Sequence, residues 1–489
     1  MFCKRFLLLA VVCALPLSAT TTPKADDKPS NSEKKESQNK KEATNKVNDK
    51  RCALFQAFEH ALITNKDILA MEYEIRAGHE GYISVRSAMF PTMAANAGYN
   101  ARYGEAWTPD VPEGDPGKRG SSKSREKEYG ITTKLNLFHG GADLAAIKEV
   151  DLQIRARWSK YEATKQKVLR EVAAYYFEIY AKMQELLHIK ALLESRHESL
   201  KVAQEMYKTG GAKYLDVAQA SASCAEVEAK LAKAESDYQS LRAKFTEISG
   251  FVLPIKLDAP KQLFNTSMTV KQGIDLAMRR NPNIIAAADS LAAAREAAKK
   301  PVAKSLPTVD FQYSYGYHLT KADQANNHNN NSRDHAFRVV AAIPIYDAGV
   351  GRSEKRQAQE LVSKAAVENE KAIEETRTEI TSTWAALVSA QRNIESAKAA
   401  VEARELALKV TEEEYNAGLK IVNDVLKAQQ ELFEAKFLAI QAEKEYFVGQ
   451  CSAIALIGGM NPHNLKLKVD QHSENSLQAH FAETKMRVL

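Results

Sequence analysis

One duplicated stretch restricts the fold of this chain more than any other feature. Tyr415, Gly418, Asp424 and Val425 repeat Tyr207, Gly210, Asp216 and Val217, each 208 residues on (415 − 207). Each copy lies between two long helical patterns, so each reads as the tip of an antiparallel helical hairpin. Glycine just past a helix is a C-cap signal, because it takes positive φ without steric cost. The Asp six residues later falls near the start of the returning helix, where a carboxylate suits the helix dipole.

The repeat extends along the chain, as a fixed long period implies. Phe138-His139-Gly140-Gly141-Ala142 aligns with Tyr346-Asp347-Ala348-Gly349-Val350 at the same offset. Asn65 aligns with Asn281, and Pro91-Thr92 with Pro307-Thr308, at an offset of 216. The first copy therefore carries eight extra residues (216 − 208) between Pro91 and Phe138, as expected of a surface loop. The expected organisation is a first repeat over 52–250, a second of the same plan over 251–458, and a tail over 459–489.

Before the repeats, Lys4-Arg5 and the apolar run Phe6 to Leu17 read as a signal peptide over 1–19, with cleavage after Ala19. The run is shorter than the roughly 20 residues that cross a bilayer. Cys13 would be the site of an alternative lipidation, but Val12 fits that motif poorly. Residues 20–51 are polar and charged and are expected to be a disordered linker. From about Gly458 the pattern fades, which predicts a loosely attached end.

Beyond the leader, Cys52, Cys224 and Cys451 are far apart and show no metal-type spacing. Cys224 falls on an apolar seam and reads as a buried thiol; a Cys52–Cys451 bridge has little support. The net charge of +6 is small for 489 residues, and no basic cluster points to nucleic acid. No nucleotide-binding glycine loop, metal-ligand histidine pair or nucleophile elbow occurs, so neither an enzyme nor a cofactor is expected.

From Leu144 a heptad seam runs to Tyr207. It holds Trp158, Val172, Ile179, Leu186, Leu193 and Leu200, with Ile147, Ile154, Tyr161, Val168, Tyr175, Ile189 and Ala203 three residues out of step. Asp151, Lys165, Lys182 and Arg196 interrupt it. A strict seven-residue period implies left-handed supercoiling. The 68 residues from Gly140 to Tyr207 would make a helix of about 100 Å. Ile373, Ile380, Leu387, Ile394, Val401, Leu408 and Tyr415 keep the same phase in the second copy. The returning helices carry Val217, Cys224, Leu231, Tyr238 and Phe245, and then Val425, Leu432, Ala439 and Tyr446. Periodicity alone does not separate a solid bundle or scaffold from a hollow one.

Between the helices the period becomes two. Val309, Phe311, Tyr313, Tyr315, Tyr317 and Leu319 alternate with polar residues; so do Phe337, Val339, Ala341, Ile343 and Ile345. Tyr129, Ile131, Leu135 and Leu137 do the same, and 93–103 is a weaker partner. These predict four strands of about ten residues, a length that crosses a bilayer when tilted. Long polar loops are expected over 104–128 and 320–334. Four strands close no barrel, and a membrane tolerates no open edge. Either several chains share a barrel, or the strands lie outside a membrane.

The order of helix, Pro, strand, polar loop, strand, long helix, tip and returning helix, given twice behind a leader, resembles the TolC family of outer-membrane efflux proteins. The likeness covers roughly 52–458. It implies an α+β fold. Four strands per chain, 12 in a homotrimer, would form a membrane β-barrel continuous with a long periplasmic α-helical barrel. It implies a passive exit duct in the outer membrane for tripartite efflux or type I secretion, working with a periplasmic adaptor and an inner-membrane RND or ABC pump. By the same likeness Asp216, Tyr415, Lys420 and Asp424 hold the entrance shut, and Gly210 and Gly418 dock the adaptor. Lys420 stands where relatives have Arg, which predicts a looser link. At the tips Lys208, Lys213, Lys420 and Lys427 face Asp216 and Asp424, so a cation-selective entrance is not expected. The alternative is a periplasmic coiled-coil adaptor or scaffold without a pore. Adaptors, however, carry a single hairpin and do not duplicate the whole strand–helix unit.

Overall fold

The computed structural model describes residues 53–107, 119–255, 257, 268–322, 330–465 and 467. The expected leader, polar linker, Cys52 and most of the C-terminal tail lie outside these.

The element order runs twice. Helices α1 (Ala53–Thr64) and α2 (Lys66–Ser87) lead into strands β1 (Thr92–Trp107) and β2 (Arg119–His139). Then come α3 (Ala142–Lys208) and the returning α4 (Tyr214–Ser249). The second pass has α5 (Val270–Arg280), α6 (Pro282–Ala297), the short α7 (Lys300–Ala303), β3 (Thr308–Ala322), β4 (Asn330–Ala342), α8 (Val350–Asn416) and α9 (Val422–Leu456).

Helices α3 and α8 have 67 residues each, so each is about 100 Å long. Shorter helices cover them: α4 lies along the tip half of α3, while α2 and α6 cover the half nearer the sheet. The heptad seam is the buried stripe. Ile154, Tyr161, Val168, Val172, Ile179, Ile189 and Ala203 are all buried on α3. Of the charged residues that interrupt it, Lys165 is buried and Lys182 half-buried, and each has a partner. Lys165 Nζ meets Glu162 at 2.7 Å, and Lys182 Nζ meets Glu185 at 2.9 Å.

The main core gathers α1, α2 and the middle of α3 around Phe58, Tyr176 and Phe177, and the Phe177 ring stacks on Phe447 of α9 at 5.3 Å. A smaller core joins α5, α8 and α9 around Ile380, Trp384 and Leu387. Asn65 and Asn281 do the same work in each repeat. The Asn65 side-chain oxygen accepts from Asp67 N, capping α2, while its amide donates to Ile248 O at 3.0 Å. Asn281 caps α6 through Asn283 N and donates to Leu456 O at 2.9 Å. A capping residue thereby also ties the returning hairpin helix to its own repeat.

Three expectations need correction. The chain after Gly458 is not loose at its start: Met460 is fully buried and Leu465 joins the main core. Their apolar contacts are too few and too unevenly spaced to show as a period. The strands are longer than ten residues, at 16, 21, 15 and 13. They extend into the segments read as loops, because a hairpin ladder continues in water without any apolar alternation. Finally, β4 stops at Ala342, and Ile343 and Ile345 are exposed beyond it. Pro344 lies between them and has no N–H to donate to a ladder.

The four strands form one antiparallel sheet in the order β1-β2-β3-β4. Tyr313 faces Phe337, Phe311 faces Val339, and Tyr315 faces Ile131 and His335, so the apolar residues share one face. A bulge between Asn136 and Phe138 changes the alternation on β2. Phe138, rather than the expected Leu137, stands opposite Val309.

Cys224 is a free, buried thiol, as its place on the seam predicts. Cys451 is also free and buried, and burial pushes it up to about 12. The Cys52–Cys451 pairing involves a residue outside those described. In native protein at pH 8, Cys451 is expected to resist maleimide labelling and to react only after denaturation. Labelling at the rate of a free peptide thiol would contradict the packing around it.

Candidate functional site

The two hairpin tips are built alike. At the end of α3, Gly210 has φ +79°. Gly211 N donates to Met206 O at 2.8 Å, and Gly210 N to Tyr207 O at 3.1 Å. At the end of α8, Gly418 has φ +75°. Leu419 N donates to Glu414 O, and Gly418 N to Tyr415 O, both at 2.9 Å. This is the Schellman arrangement, which satisfies the last carbonyls of a helix. An added Cβ would meet open space at either glycine, so the backbone angle and not crowding requires glycine.

The aspartates start the returning helices. Asp216 Oδ2 accepts from Lys213 N at 2.9 Å, and Asp424 Oδ2 from Ile421 N at 3.2 Å. Each carboxylate satisfies an orphan donor and meets the positive end of the helix dipole.

Contacts between the hairpins are fewer. The Tyr415 hydroxyl donates to Met206 Sδ at 3.4 Å. Burial, and then the negative charge of Asp216, push the Tyr415 phenol above its ordinary value. Lys420 Nζ pairs with Glu414 Oε2 at 2.8 Å on its own hairpin, and that hydrogen bond raises the ammonium above its ordinary value. Within one chain, therefore, Tyr415 lies beside Asp216, Lys420 is held by Glu414, and Asp424 caps α9. Glu414, in the last turn of α8, belongs to the tip and reduces the lysine excess there.

Further from the tip, two residues join the hairpins that sequence reasoning did not select. Arg196 is buried and donates from Nη2 to Leu426 O at 2.8 Å. Gln429 Nε2 donates to Ser195 Oγ at 2.8 Å. The signal for Arg196 was available: a charged residue occupied a position on the apolar seam.

Long paired hairpins that meet at capped tips, and end at the other side in an open sheet with one apolar face, define a channel-forming subunit. The sequence pattern of the outer membrane efflux proteins matches residues 57–250 and 273–458, and the chain belongs to that family. It is 26% identical over 347 residues to the outer membrane efflux protein BepC of Brucella suis, covering 70% of this chain and 74% of the relative. It is 23% identical over 419 residues to the outer membrane protein TolC of Vibrio cholerae, covering 84% and 92%. The fold matches the outer membrane protein VceC of Vibrio cholerae with a TM-score of 0.69 at 17% identity, over 83% of this chain and 96% of that one. The protein is an exit duct of the outer membrane that extends into the periplasm, from a family of channels that serve efflux and secretion.

Proposed function

We propose that three copies close one another into a continuous tube and that the hairpin tips form its gated entrance. The observation that carries this is the pair of unpaired sheet edges. Among the described residues β1 and β4 each bond a neighbour on one side only. Hydrocarbon does not tolerate unpaired backbone donors and acceptors, so the edges need partners. Three four-stranded sheets, joined edge to edge, give 12 strands and no edge.

The tube is passive, and energy comes from a periplasmic adaptor with an inner-membrane RND or ABC pump. Docking at the tips is supported by the exposed Tyr214, Leu215, Leu419 and Ile421, which flank Gly210 and Gly418. Small apolar patches of this kind on an otherwise polar end favour a protein partner. The full-length protein in detergent is expected to run as a trimer by native mass spectrometry and to form pores in planar bilayers. A monomer without conductance would reject this reading.

In the assembled duct, Asp216, Tyr415, Lys420 and Asp424 act as the latch. For Lys420 to join it, the lysine exchanges Glu414 for an acid across the entrance. Solvent screens each exposed link, so closure depends on several weak contacts around a ring. Lys420→Ala and Asp216→Ala are each expected to raise resting conductance, by roughly two- to fivefold for such exposed contacts. Glu414→Gln frees the lysine for the latch and is expected to leave conductance at or below the wild-type level. Unchanged conductance in Lys420→Ala and Asp216→Ala removes the latch role.

A further inference from the structure

The strand register sorts the charged side chains of the sheet by face in a way that a pore alone does not require. On the face bearing Phe311, Tyr313 and Tyr315, Arg333 stands opposite Tyr317, and Lys127 opposite Leu319. One level further, Arg125 stands opposite Lys321; at the next, Lys123 stands opposite Tyr103. Alternation along each strand puts all five cations on this one face. Geometry agrees: the Arg333 guanidinium lies 5.7 Å over the Tyr317 ring, and the Lys123 ammonium 5.9 Å over Tyr103. All five are exposed, and none forms an ion pair with a described residue.

Acids at these levels lie on the opposite face. Glu126 and Asp334 flank His318 there, each at 3.7 Å, and Glu128 stands across from it. One side of the sheet thus gathers these cations without an acid at their levels, while the other carries the acids together with Arg102, which stands opposite Ser124. Toward the helices the charged residues Lys134, Arg338 and Asp310 all fall on that other face by alternation.

The apolar run from Val309 to Leu319 spans ten steps, which at about 3.3 Å each and a tilt of about 40° is roughly 25 Å of height, the height of a barrel's lipid band. The five cations begin at its last levels and continue past it, at the end away from the helices. Arg125 directly opposite Lys321 is a like-charge cross-strand pair, which is unfavourable without an anion between the two.

We propose that this rim binds the phosphate groups of phosphorylated lipid in the outer leaflet. A long basic side chain there lays its stem on the apolar band and its head in the headgroup layer. Phosphate oxygens accept charge-assisted bonds from several of the cations at once and cancel the repulsion between Arg125 and Lys321. This rests on the reading that the apolar face meets lipid.

The test uses full-length protein in neutral detergent, with retained lipid counted by native mass spectrometry. The probe is diphosphorylated lipid A; its dephosphorylated form and inorganic phosphate are the controls. Wild type is expected to hold the diphosphorylated probe at least about tenfold more tightly than the dephosphorylated form, since each basic residue near an anionic surface adds a several-fold factor. The joint variant Lys123→Gln, Arg125→Gln, Lys127→Gln and Lys321→Gln is expected to lose that preference, yet to form pores in phosphatidylcholine bilayers. If the joint variant does not assemble, Arg125→Gln with Lys321→Gln is expected to lower the preference by at least about fivefold. Equal retention by wild type and the assembled variant overturns the proposal, as does equal retention of the two lipid forms. Displacement of the lipid by millimolar inorganic phosphate would mean a free-anion site and also overturns it. Wild type that makes no pores fails the channel reading instead, which keeps the two failures distinct.

Discussion

Trp384→Ala is expected to destabilise the second repeat by about 3–5 kcal/mol, the usual cost of truncating a large core aromatic. Trp384 is 7% exposed and anchors the core that joins α5, α8 and α9. Its ring lies so close to Gly273 of α5 that an added Cβ would be 3.1 Å away, and its indole N–H donates to Met268 O at 3.1 Å. Among the described residues Tyr446 is the one other aromatic side chain packed on this core, so little of comparable size can move in to fill the void. The loss would appear as a lower melting temperature and as early proteolysis near α5. Trp384→Phe keeps most of the volume and loses only the hydrogen bond, an expected cost of about 1 kcal/mol. An alanine variant that melts like wild type would show that α5 does not depend on this contact.

The second large effect concerns Arg196. Burial pushes its guanidinium below its ordinary value, and neither Nε nor Nη1 has a hydrogen-bond partner among the described residues. Its one bond, to Leu426 O, crosses from α3 to α9. A hydrogen bond to a charged group contributes about 1.5–3 kcal/mol. If this bond holds the hairpins together above the entrance, Arg196→Ala should raise the open population by roughly tenfold or more, read as resting conductance. Arg196→Met separates the causes. It fills much of the same space, and replacing a buried charge by an apolar side chain is often neutral or stabilising. Met should therefore melt like wild type but conduct like the alanine variant. Wild-type conductance in both would limit Arg196 to packing.

Much of the helical framework was legible because helices are written in short-range interactions. The seam from Leu144 to Tyr207 reproduces α3 to within a few residues, since each contact recurs three or four positions on. Gly210, Gly418, Asp216 and Asp424 were readable for the same reason: they satisfy backbone groups within five residues of themselves. Arg196 on the seam was visible as an anomaly, but its bond to a carbonyl 230 residues away was not. Strand ends were misplaced because apolar alternation stops where both faces of the sheet become polar, while the ladder goes on. Met460 was missed because one buried side chain leaves no period.

Sequence alone determined the duplication, the long paired helices, the capped tips and the presence of two-faced strands, all of which follow from local backbone chemistry and hydrophobic period. Tertiary structure decided what those elements do to one another. It set the bulge that turns Phe138 instead of Leu137 toward Val309, the Glu414 partner of Lys420, the tie from Arg196 to α9, and the gathering of five cations on one face at the far end of the sheet. Each of these depends on register or on contact between segments distant in the chain, and such contacts form only when packing brings the segments together.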